Sequence, residues 1–338
     1  MARVRPFTAL TGFAGPLAPR GRPGAFTATA VALVLAGQVA APGGPKDGGA
    51  SVRGRTLQII AYVPDYRVAT IPLSVGASVS DLIFFSIEPK PTGALNTRRL
   101  GARSLRKLHE IRRRYKNRLL VAVGGWGRSS GFAAVATRKQ PRQRFVEELT
   151  RWCVDHRFDG ADFDWEHPAN KREEEAYAVL LADVRRAFGP KRLLLSLTLA
   201  PWEDPGPSAY AAADRVQVMS YDHEEARHST LEQARTDVDA LVTRGVPRQK
   251  LCLGVPLYGR DMKDRNRVVA YGDLMRKYKP APEVDEVGGI YFNGIGTVRR
   301  KARYAKQSGL GGIMIWELGQ DTRGETSLLR AVRQALSE

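Results

Sequence analysis

The sequence predicts a single (β/α)8 barrel with a short insertion after the seventh strand. Eight short apolar runs follow one another from residue 57 onward, and several are hydrophobic at nearly every position, as strands covered on both faces are. Patterns with apolar residues three and four positions apart separate most of these runs, which is typical of alternating strands and helices around a parallel sheet. The chain of 338 residues is long enough for one large barrel domain.

The elements follow one another in the order that a barrel requires. The candidate strands cover 57–63, 80–87, 118–124, 158–166, 193–200, 215–221, 251–257 and 312–317. The candidate helices cover 97–115, 141–156, 171–188, 227–244 and 326–337. No clear helix pattern separates the first two strands. The segment 259–297 is longer than a simple connection and therefore predicts the insertion.

The first 55 residues differ in composition from the rest of the chain. Arginines precede an apolar run at 25–40, which ends at the small residues Val39-Ala40-Ala41, as in a secretory signal peptide. Residues 42–55 are rich in glycine and proline and are interpreted as a linker. We therefore expect a signal peptide or a retained N-terminal anchor at 1–41, a barrel domain at 56–338, and a secreted or periplasmic protein.

The formal charge of +18 raises the question of an anionic partner. The basic residues are dispersed, as in Arg112-Arg113-Arg114 and Arg299-Arg300-Lys301, and no nucleic-acid-binding motif accompanies them. We interpret them as a solvated surface and expect no nucleic acid partner. The two cysteines, Cys153 and Cys252, have neither a disulfide framework nor metal-ligand spacing, so we expect two buried thiols.

The segment 158–168 contains three acidic residues at every second position, Asp162, Asp164 and Glu166. Alternate side chains of a β-strand share a face, so all three carboxyls would project to one side of the strand. Phe163 and Trp165 would project to the other side, where they could pack against helices. Burying three carboxyls is costly unless they are paired, share protons or serve chemistry.

The position of this carboxylate row favours acid–base chemistry. Glu166 closes the predicted fourth strand, and the carboxyl ends of barrel strands carry the active site. Alternate residues lie about 6.6 to 7 Å apart along a strand, so these carboxylates would raise one another's pKa and leave Glu166 protonated as a general acid. The alternatives are a metal site and a salt-bridged structural cluster. Oxygen-rich metal sites gather ligands from several segments, and no second cluster stands out, so we expect neither metal nor cofactor.

The run Asp159-Gly160-Ala161-Asp162-Phe163-Asp164-Trp165-Glu166 resembles the DGxDxDWE signature of family 18 glycoside hydrolases, the chitinase family. Four further segments resemble motifs of the family's third, sixth, seventh and eighth strands, in the right order. They are Ala122-Val123-Gly124-Gly125, Met219-Ser220-Tyr221-Asp222, Gly254-Val255-Pro256-Leu257-Tyr258-Gly259-Arg260 and Gly311-Gly312-Ile313-Met314-Ile315-Trp316-Glu317. The resemblance covers the chain from residue 57 to about 335.

This resemblance implies a retaining hydrolase of β-1,4-linked N-acetylglucosamine. In the family the residue matching Glu166 protonates the glycosidic oxygen. The substrate's own 2-acetamido carbonyl replaces the usual second carboxylate and forms an oxazolinium ion. Asp164 would orient the acetamido N–H and exchange proton character with Asp162 and Glu166. Tyr221 would donate a hydrogen bond to the acetamido oxygen as charge develops there.

The resemblance also implies which residues contact the sugar. Trp316, near the end of the last strand, would form an apolar floor beneath the sugar at the cleavage point, and Asp222 would help to hold that sugar. His167 and His223 have no identifiable metal partner, so we interpret them as structural. The further candidates for substrate binding are Trp126, Tyr62, Phe85, Met219, Tyr258 and Arg260, with Trp202 as a similar candidate.

Two departures from the family pattern affect these expectations. Ala122 replaces a serine, which would loosen hydrogen bonding behind the carboxylate row. The segment 259–297 is shorter than the insertion that walls the cleft in many chitinases, so we expect an open groove and soluble oligomers as substrates. Peptidoglycan and N-linked glycan cores are alternative substrates. A non-catalytic chitin-binding lectin is a further alternative, although lectin-like members typically replace the residue matching Glu166. We expect a monomer.

Overall fold

The structure is a computed structural model that describes residues 57–338, and it contains a closed barrel of eight parallel strands. The predicted signal peptide and linker at 1–55 lie outside the described residues. The barrel strands are β1 (Gln58–Pro64), β2 (Asp81–Pro89), β4 (Arg118–Gly124), β5 (Gly160–Asp164), β6 (Leu194–Leu199), β7 (Arg215–Val218), β8 (Leu251–Pro256) and β13 (Gly312–Trp316). A two-residue strand, β3 (Leu95–Asn96), pairs antiparallel with the end of β2.

The barrel closes because β1 pairs on one side with β2 and on the other with β13. All eight neighbouring pairs around the barrel are parallel. The carboxyl ends of the eight strands therefore meet at one rim, which is where a barrel builds its active site. The fold class that the sequence predicts is confirmed.

Helices follow most barrel strands and cover the outside of the sheet. They are α1 (Ala102–Tyr115), α2 (Phe132–Thr137), α3 (Lys139–Asp155), α4 (Lys171–Phe188), α5 (Pro207–Ala212), α6 (Leu231–Thr243), α7 (Tyr271–Tyr278), α8 (Ile295–Gln307) and α9 (Leu328–Ser337). Only a 3-10 helix, Leu73–Ser78, separates β1 from β2, as the missing helix pattern predicts. Within residues 57–338, none of these helices is both long and apolar enough to span a membrane.

The predicted insertion after the seventh barrel strand is a small antiparallel sheet. It contains β9 (Tyr258–Asp261), β10 (Val268–Ala270), β11 (Glu286–Val287) and β12 (Ile290–Tyr291), in the spatial order β10-β9-β12-β11. Helix α7 connects β10 to β11. Since β9 begins two residues after β8 ends, the insertion carries Tyr258 and Arg260 directly from the rim of the barrel.

Strand β5 is shorter than the apolar run 158–166 predicts. It ends at Asp164, so Glu166 lies in the bend that follows the strand and does not close it. The expectation for the opposite face is confirmed. Phe163 packs edge-on against Phe145 of α3, and the ring of Trp165 stacks on Phe132 of α2 with centroids 5.3 Å apart. These contacts fix the strand's outer face while its carboxyls face the barrel interior.

Candidate active site

A pair of glycines at the end of β4 shapes the backbone beside the carboxylate row. Gly124 and Gly125 have φ angles of +92° and +94°, which favour glycine over other residues. A Cβ atom on Gly125 would lie 2.1 Å from the ring of Phe85, and one on Gly124 would lie 2.3 Å from the carbonyl oxygen of Asp164. The Gly125 N–H donates to that same carbonyl at 2.6 Å, so β4 and β5 are locked together where the carboxyls emerge.

Asp162 is the innermost member of the row and is fully buried. It accepts hydrogen bonds from Tyr62 Oη at 2.7 Å, Gln217 Nε2 at 2.6 Å and Thr198 Oγ1 at 3.0 Å, and also from Ser196 Oγ. Burial raises the pKa of Asp162, and these donors oppose the rise by stabilising the charged form. The carboxyl is thus held inside the barrel by donors from three strands.

Three of these four donors are not among the candidate residues that the sequence predicts. Ser196, Thr198 and Gln217 are polar residues in otherwise apolar strands, and that interruption is the signal that could have identified them. Ala122 lies beside Asp162 in the register of β4 and β5. Donors from β1, β6 and β7 occupy both carboxyl oxygens of Asp162, so this carboxyl does not depend on a donor at position 122. That alanine loosens hydrogen bonding elsewhere behind the row stays a prediction.

Asp164 is only 3% exposed, and its environment differs from that of Asp162. Its Oδ1 atom is buried and has no hydrogen-bond partner among residues 57–338. Burial, together with the charges of Glu166, Asp162 and Glu203, raises the pKa of Asp164 well above its ordinary value. The row is therefore coupled by charge, and its surroundings favour the protonated form of Asp164, whose Oδ1 has unused hydrogen-bonding capacity.

Glu166 is positioned by the loop that follows β4. Its backbone N–H donates to Ser129 Oγ at 3.1 Å, and its carboxylate accepts the Trp126 N–H. Burial raises the pKa of Glu166 to about 7, although the neighbouring His167 opposes the rise. The side chain is 14% exposed and borders a cavity of about 380 Å³, so it is an accessible acid. The cavity is lined by Gly127, Ser129, Ser130, Ala133, Trp165, Glu166, His167, Ala169 and Glu173.

Tyr221 follows β7 and faces the row from across the barrel. Its ring is 8% exposed, and the only hydrogen bond of its hydroxyl within the described chain goes to Met314 Sδ at 3.9 Å. Burial and the charges of Asp164 and Glu166 raise the pKa of Tyr221 well above its ordinary value. The hydroxyl therefore keeps its proton and is a donor without a strong acceptor of its own.

Asp222, the next residue, is a fixed carboxylate with a φ of +63°. It accepts hydrogen bonds from Tyr258 Oη at 2.6 Å and from both Nε and Nη2 of Arg260, the latter at 2.6 Å. Burial would raise the pKa of Asp222, but hydrogen bonds from His228 and Arg260 lower it well below its ordinary value. The insertion thus keeps Asp222 ionised beside the row, and 37% of its side chain is exposed.

Three aromatic rings form a cluster at the barrel mouth. The Trp316 ring lies 4.6 Å from Phe85 and 5.3 Å from Tyr62, edge-on in both contacts. Trp316 is partly exposed, whereas Phe85 is 5% exposed. Tyr62 is fully buried, so the expectation that it lines the cleft is wrong: its hydroxyl contacts Asp162 beneath the site.

The remaining candidates differ in their exposure to solvent. Met219 is partly buried and packs on the aromatic interior of the barrel. Trp126 is 68% exposed and Trp202 is 56% exposed, each in a loop that follows a barrel strand. His223 binds Asp237 at 2.9 Å, which agrees with the structural role expected for it. Both cysteines are buried and free, as expected.

Two other features of the described chain bear on the site's chemistry. No group of three or more His, Cys, Asp or Glu residues within 57–338 could hold a metal ion. A surface cavity of about 390 Å³ at the start of α6 and α8 shares no lining residue with the carboxylate row. Its acids are largely paired within the cavity, for example Glu283 with Arg300 at 3.1 Å.

Known proteins resemble this chain in sequence. It is 28% identical over 301 residues to chitotriosidase-1 of Mus musculus, a match that covers 66% of this chain and 64% of the mouse protein. It is 24% identical over 294 residues to chitinase 1 of Aphanocladium album, with 69% of each chain covered. This chain therefore spans about two thirds of the length of these relatives.

The fold has solved counterparts. The GH18 chitinase ChiB from Flavobacterium johnsoniae superposes with a TM-score of 0.76 at 23% identity, over 84% of this chain and 94% of that one. The chitinase-like agglutinin of Robinia pseudoacacia superposes with a TM-score of 0.71 at 22% identity, over 82% and 99% of the chains. A plant class V chitinase mutant from Cycas revoluta, solved with (GlcNAc)3, gives 0.72 at 22% identity, over 82% and 99%.

The sequence profile of glycosyl hydrolases family 18 matches residues 59–321, which is most of the chain and nearly all of the barrel. That match contains the carboxylate row, the glycine pair, Tyr221 and Trp316. The chain belongs to glycosyl hydrolases family 18.

Proposed function

We propose that this protein is a retaining glycoside hydrolase that cleaves β-1,4-linked N-acetylglucosamine chains through an oxazolinium intermediate. The observation that carries the proposal is the carboxylate row, in which Glu166 is an accessible acid with a pKa of about 7 and Asp164 is a neighbour with a raised pKa and a carboxyl oxygen that has no partner within 57–338. When two neighbouring carboxyls have different environments, their pKa values differ, and one usually acts as the acid while the other supports the reaction.

The sugar at the cleavage point lies on Trp316. Pyranose rings present an apolar C–H face, and the partly exposed indole at the barrel mouth offers a matching surface. The ring's edge-on contacts with Phe85 and Tyr62 hold its orientation from below. Trp126 offers an exposed platform for a flanking sugar. Asp222, held by Tyr258 and Arg260, hydrogen-bonds the sugar's polar groups.

Glu166 gives its proton to the glycosidic oxygen, and the bond to the anomeric carbon breaks. The acetamido carbonyl oxygen of the same sugar attacks that carbon and closes the oxazolinium ring. Water then opens the ring while the Glu166 carboxylate takes up the water's proton. The acetamido oxygen and the water attack the anomeric carbon from opposite faces of the sugar. The two inversions cancel, so the anomeric configuration is retained.

Asp164 and Tyr221 stabilise the reacting acetamido group. The unpartnered Oδ1 of Asp164 accepts the acetamido N–H, and the Tyr221 hydroxyl donates to the acetamido oxygen. Neither group must break a strong hydrogen bond to do so, because Asp164 Oδ1 has no partner within 57–338 and Tyr221 has only a sulfur contact there. The charge of Asp162 raises the pKa of both Asp164 and Tyr221.

Chitin-type chains are the proposed substrate, and soluble oligomers are favoured over crystalline chitin. The relatives named chitotriosidase-1 and chitinase 1, and the Cycas revoluta complex with (GlcNAc)3, support this substrate class. The small insertion sheet, with strands of two to four residues, leaves a shallow groove. The fold alone does not distinguish hydrolases from the Robinia agglutinin, so the intact carboxylate row carries the enzymatic assignment. Export and a monomeric state remain predictions.

The test compares the wild-type protein with Glu166→Gln on a fluorogenic N,N′-diacetylchitobioside. We expect the variant to lose at least about 100-fold in kcat, the typical contribution of a general acid. Glu173→Gln is the matched control, since Glu173 lines the same cavity, and it should retain activity. The corresponding cellobioside, which lacks the acetamido group, should be inert. Equal turnover by wild type and Glu166→Gln would refute the enzymatic assignment, and efficient cellobioside cleavage would refute the mechanism.

A further inference from the structure

A histidine and a buried glutamate lie directly behind the general acid. His167 Nδ1 contacts Glu203 Oε1 at 3.0 Å, and His167 Nε2 lies 3.8 Å from Glu166 Oε2. The second Glu203 oxygen accepts the Ala200 N–H at 2.6 Å. The three side chains form a linear array in the order Glu203, His167, Glu166, which connects the loop after β6 to the acid.

Among residues 57–338, His167 is the one cationic partner of the Glu203 carboxylate. The Glu203 side chain is 5% exposed, and its only ion pair in this part of the chain is with His167. The nearby Arg244 guanidinium donates to the Glu203 carbonyl oxygen, not to its carboxylate. The ring of Trp202 lies 5.6 Å from the imidazole and is tilted by 55° to it.

The groups that face Glu166 come from several elements. Asp222, which follows β7, and Glu203, which follows β6, raise the pKa of Glu166. Glu166 in turn raises the pKa of Asp164 on β5. Glu173 of α4 lines the same cavity, but its carboxylate accepts the Ala169 N–H. His167 is therefore the one nearby cation that opposes the acids around Glu166 within the described chain.

The charge of His167 follows from these contacts. Burial would lower the pKa of His167, but the hydrogen bond to Glu203 and the charges of Glu203 and Glu166 raise it above its ordinary value. The contacts with Glu203 and Glu166 thus favour the protonated imidazole.

We propose that Glu203 holds His167 as an imidazolium that stabilises the Glu166 carboxylate formed when this acid gives its proton to the leaving group. The inference rests on the proposed function and adds two positioning residues to it, since both act through Glu166. In the first step the proton passes from Glu166 to the glycosidic oxygen, and the new carboxylate faces the imidazolium. When water opens the intermediate, Glu166 recovers a proton from that water and His167 keeps its own.

The first test measures charge coupling without reference to turnover. Histidine side-chain NMR of the full-length protein should show His167, assigned by its loss in His167→Asn, titrating above its ordinary value. In Glu203→Gln this titration should move down by about one pH unit or more. The side-chain carboxyl resonance of Glu166 should titrate at higher pH in His167→Asn than in wild type. Unchanged titration of both groups would overturn the proposal even if the protein proves inactive.

The second test is the pH–rate profile of His167→Asn. Asparagine Nδ2 can replace His167 Nδ1 as the donor to Glu203, so this variant keeps the structural contact and removes the charge. We expect the alkaline limb to move to higher pH by about one unit and kcat to fall by roughly tenfold, the equivalent of one pKa unit. The control is His109→Asn on α1, a partly buried histidine outside the site, which should match wild type.

The outcomes separate the two proposals. An active wild-type enzyme whose profile is unchanged in His167→Asn would overturn the role of His167 and leave the proposed function intact. A wild-type protein inactive on all N-acetylglucosamine substrates would refute the proposed function, whereas the NMR titrations would still decide whether Glu203 and His167 control the charge of Glu166.

Discussion

At the scale of single residues, burial and hydrogen-bond donors assign different states to three chemically similar carboxyls. Asp162 has donors on both oxygens, Asp164 has an oxygen without a partner in the described chain, and Glu166 borders a cavity. The spacing of the acids predicts the row, because alternation along a strand is a local property. The donors to Asp162 come from strands far apart in sequence, so no local pattern could predict their convergence.

The first prediction concerns the pH dependence of catalysis. Burial raises the pKa of Glu166 to about 7, and the proposed mechanism requires this carboxyl to be protonated. Activity is therefore present below pH 7 and falls as the pH rises through this value. The alkaline limb of kcat/KM, which reports the free enzyme, should have its midpoint near 7.

This measurement needs one control. Unfolding should be followed over the same pH range, so that loss of structure is not mistaken for titration of Glu166. A value of kcat/KM that stays level to pH 9, with the protein folded, would show that Glu166 does not act as the acid in this way.

At the scale of elements, hydrophobic runs predict every barrel strand, because strands covered on both faces are apolar along their length. The exact ends are predicted less well: β5 stops at Asp164 since the chain bends there to place Glu166 at the cavity. The strands β9 to β12 have two to four residues each, too few for a recognisable period. Long-range pairing within the insertion defines them, and a local pattern carries no information about it.

The second prediction concerns the glycine pair that ends β4. Gly125→Ala places a Cβ atom 2.1 Å from the Phe85 ring at a φ of +94°. Relieving this clash must move Phe85, which packs on Trp316, or the loop that carries Trp126. We expect a loss of roughly 1–3 kcal/mol in the free energy of unfolding, as for overpacking, and a rise in KM for chito-oligosaccharides.

Gly127→Ala is the matched control for this change. Gly127 also has a positive φ, +70°, but a Cβ atom there would meet nothing within 4 Å. The control should lose only about 1–2 kcal/mol through backbone strain and keep its KM. Equal effects of the two substitutions on KM, compared in the same assay with urea unfolding, would show that the contact with Phe85 is unimportant for the cleft.

At the scale of the whole molecule, barrel closure brings together residues that the sequence separates by more than 200 positions. Lys301 of α8 is a shorter-range case, 72 positions from its partner Ser229. The solvated surface predicted for Arg299-Arg300-Lys301 is wrong for Lys301. Lys301 is fully buried, and its Nζ donates to Ser229 O at 3.0 Å and to Ser229 Oγ at 2.7 Å. Ser229 Oγ in turn donates to Ser220 O at 2.7 Å. Helix α8 is thereby tied to the segment that carries Tyr221 and Asp222.

The last prediction concerns the stability of the molecule against pH. Burial lowers the pKa of Lys301 to about 7, whereas an unfolded lysine titrates near about 10.4. Between these values the unfolded chain binds a proton at this lysine and the folded chain does not, so raising the pH stabilises the folded state. Lys301→Met removes this linkage, so the stability of wild type relative to the variant should increase from pH 7 to pH 10, by at most about 1.4 kcal/mol per pH unit.

Lys306→Met, at an exposed position of α8, should show no such trend in urea unfolding. If the stability difference between wild type and Lys301→Met is the same at every pH, then Lys301 keeps its proton in the folded state, and the tie between α8 and the segment that carries Tyr221 and Asp222 is a charged one.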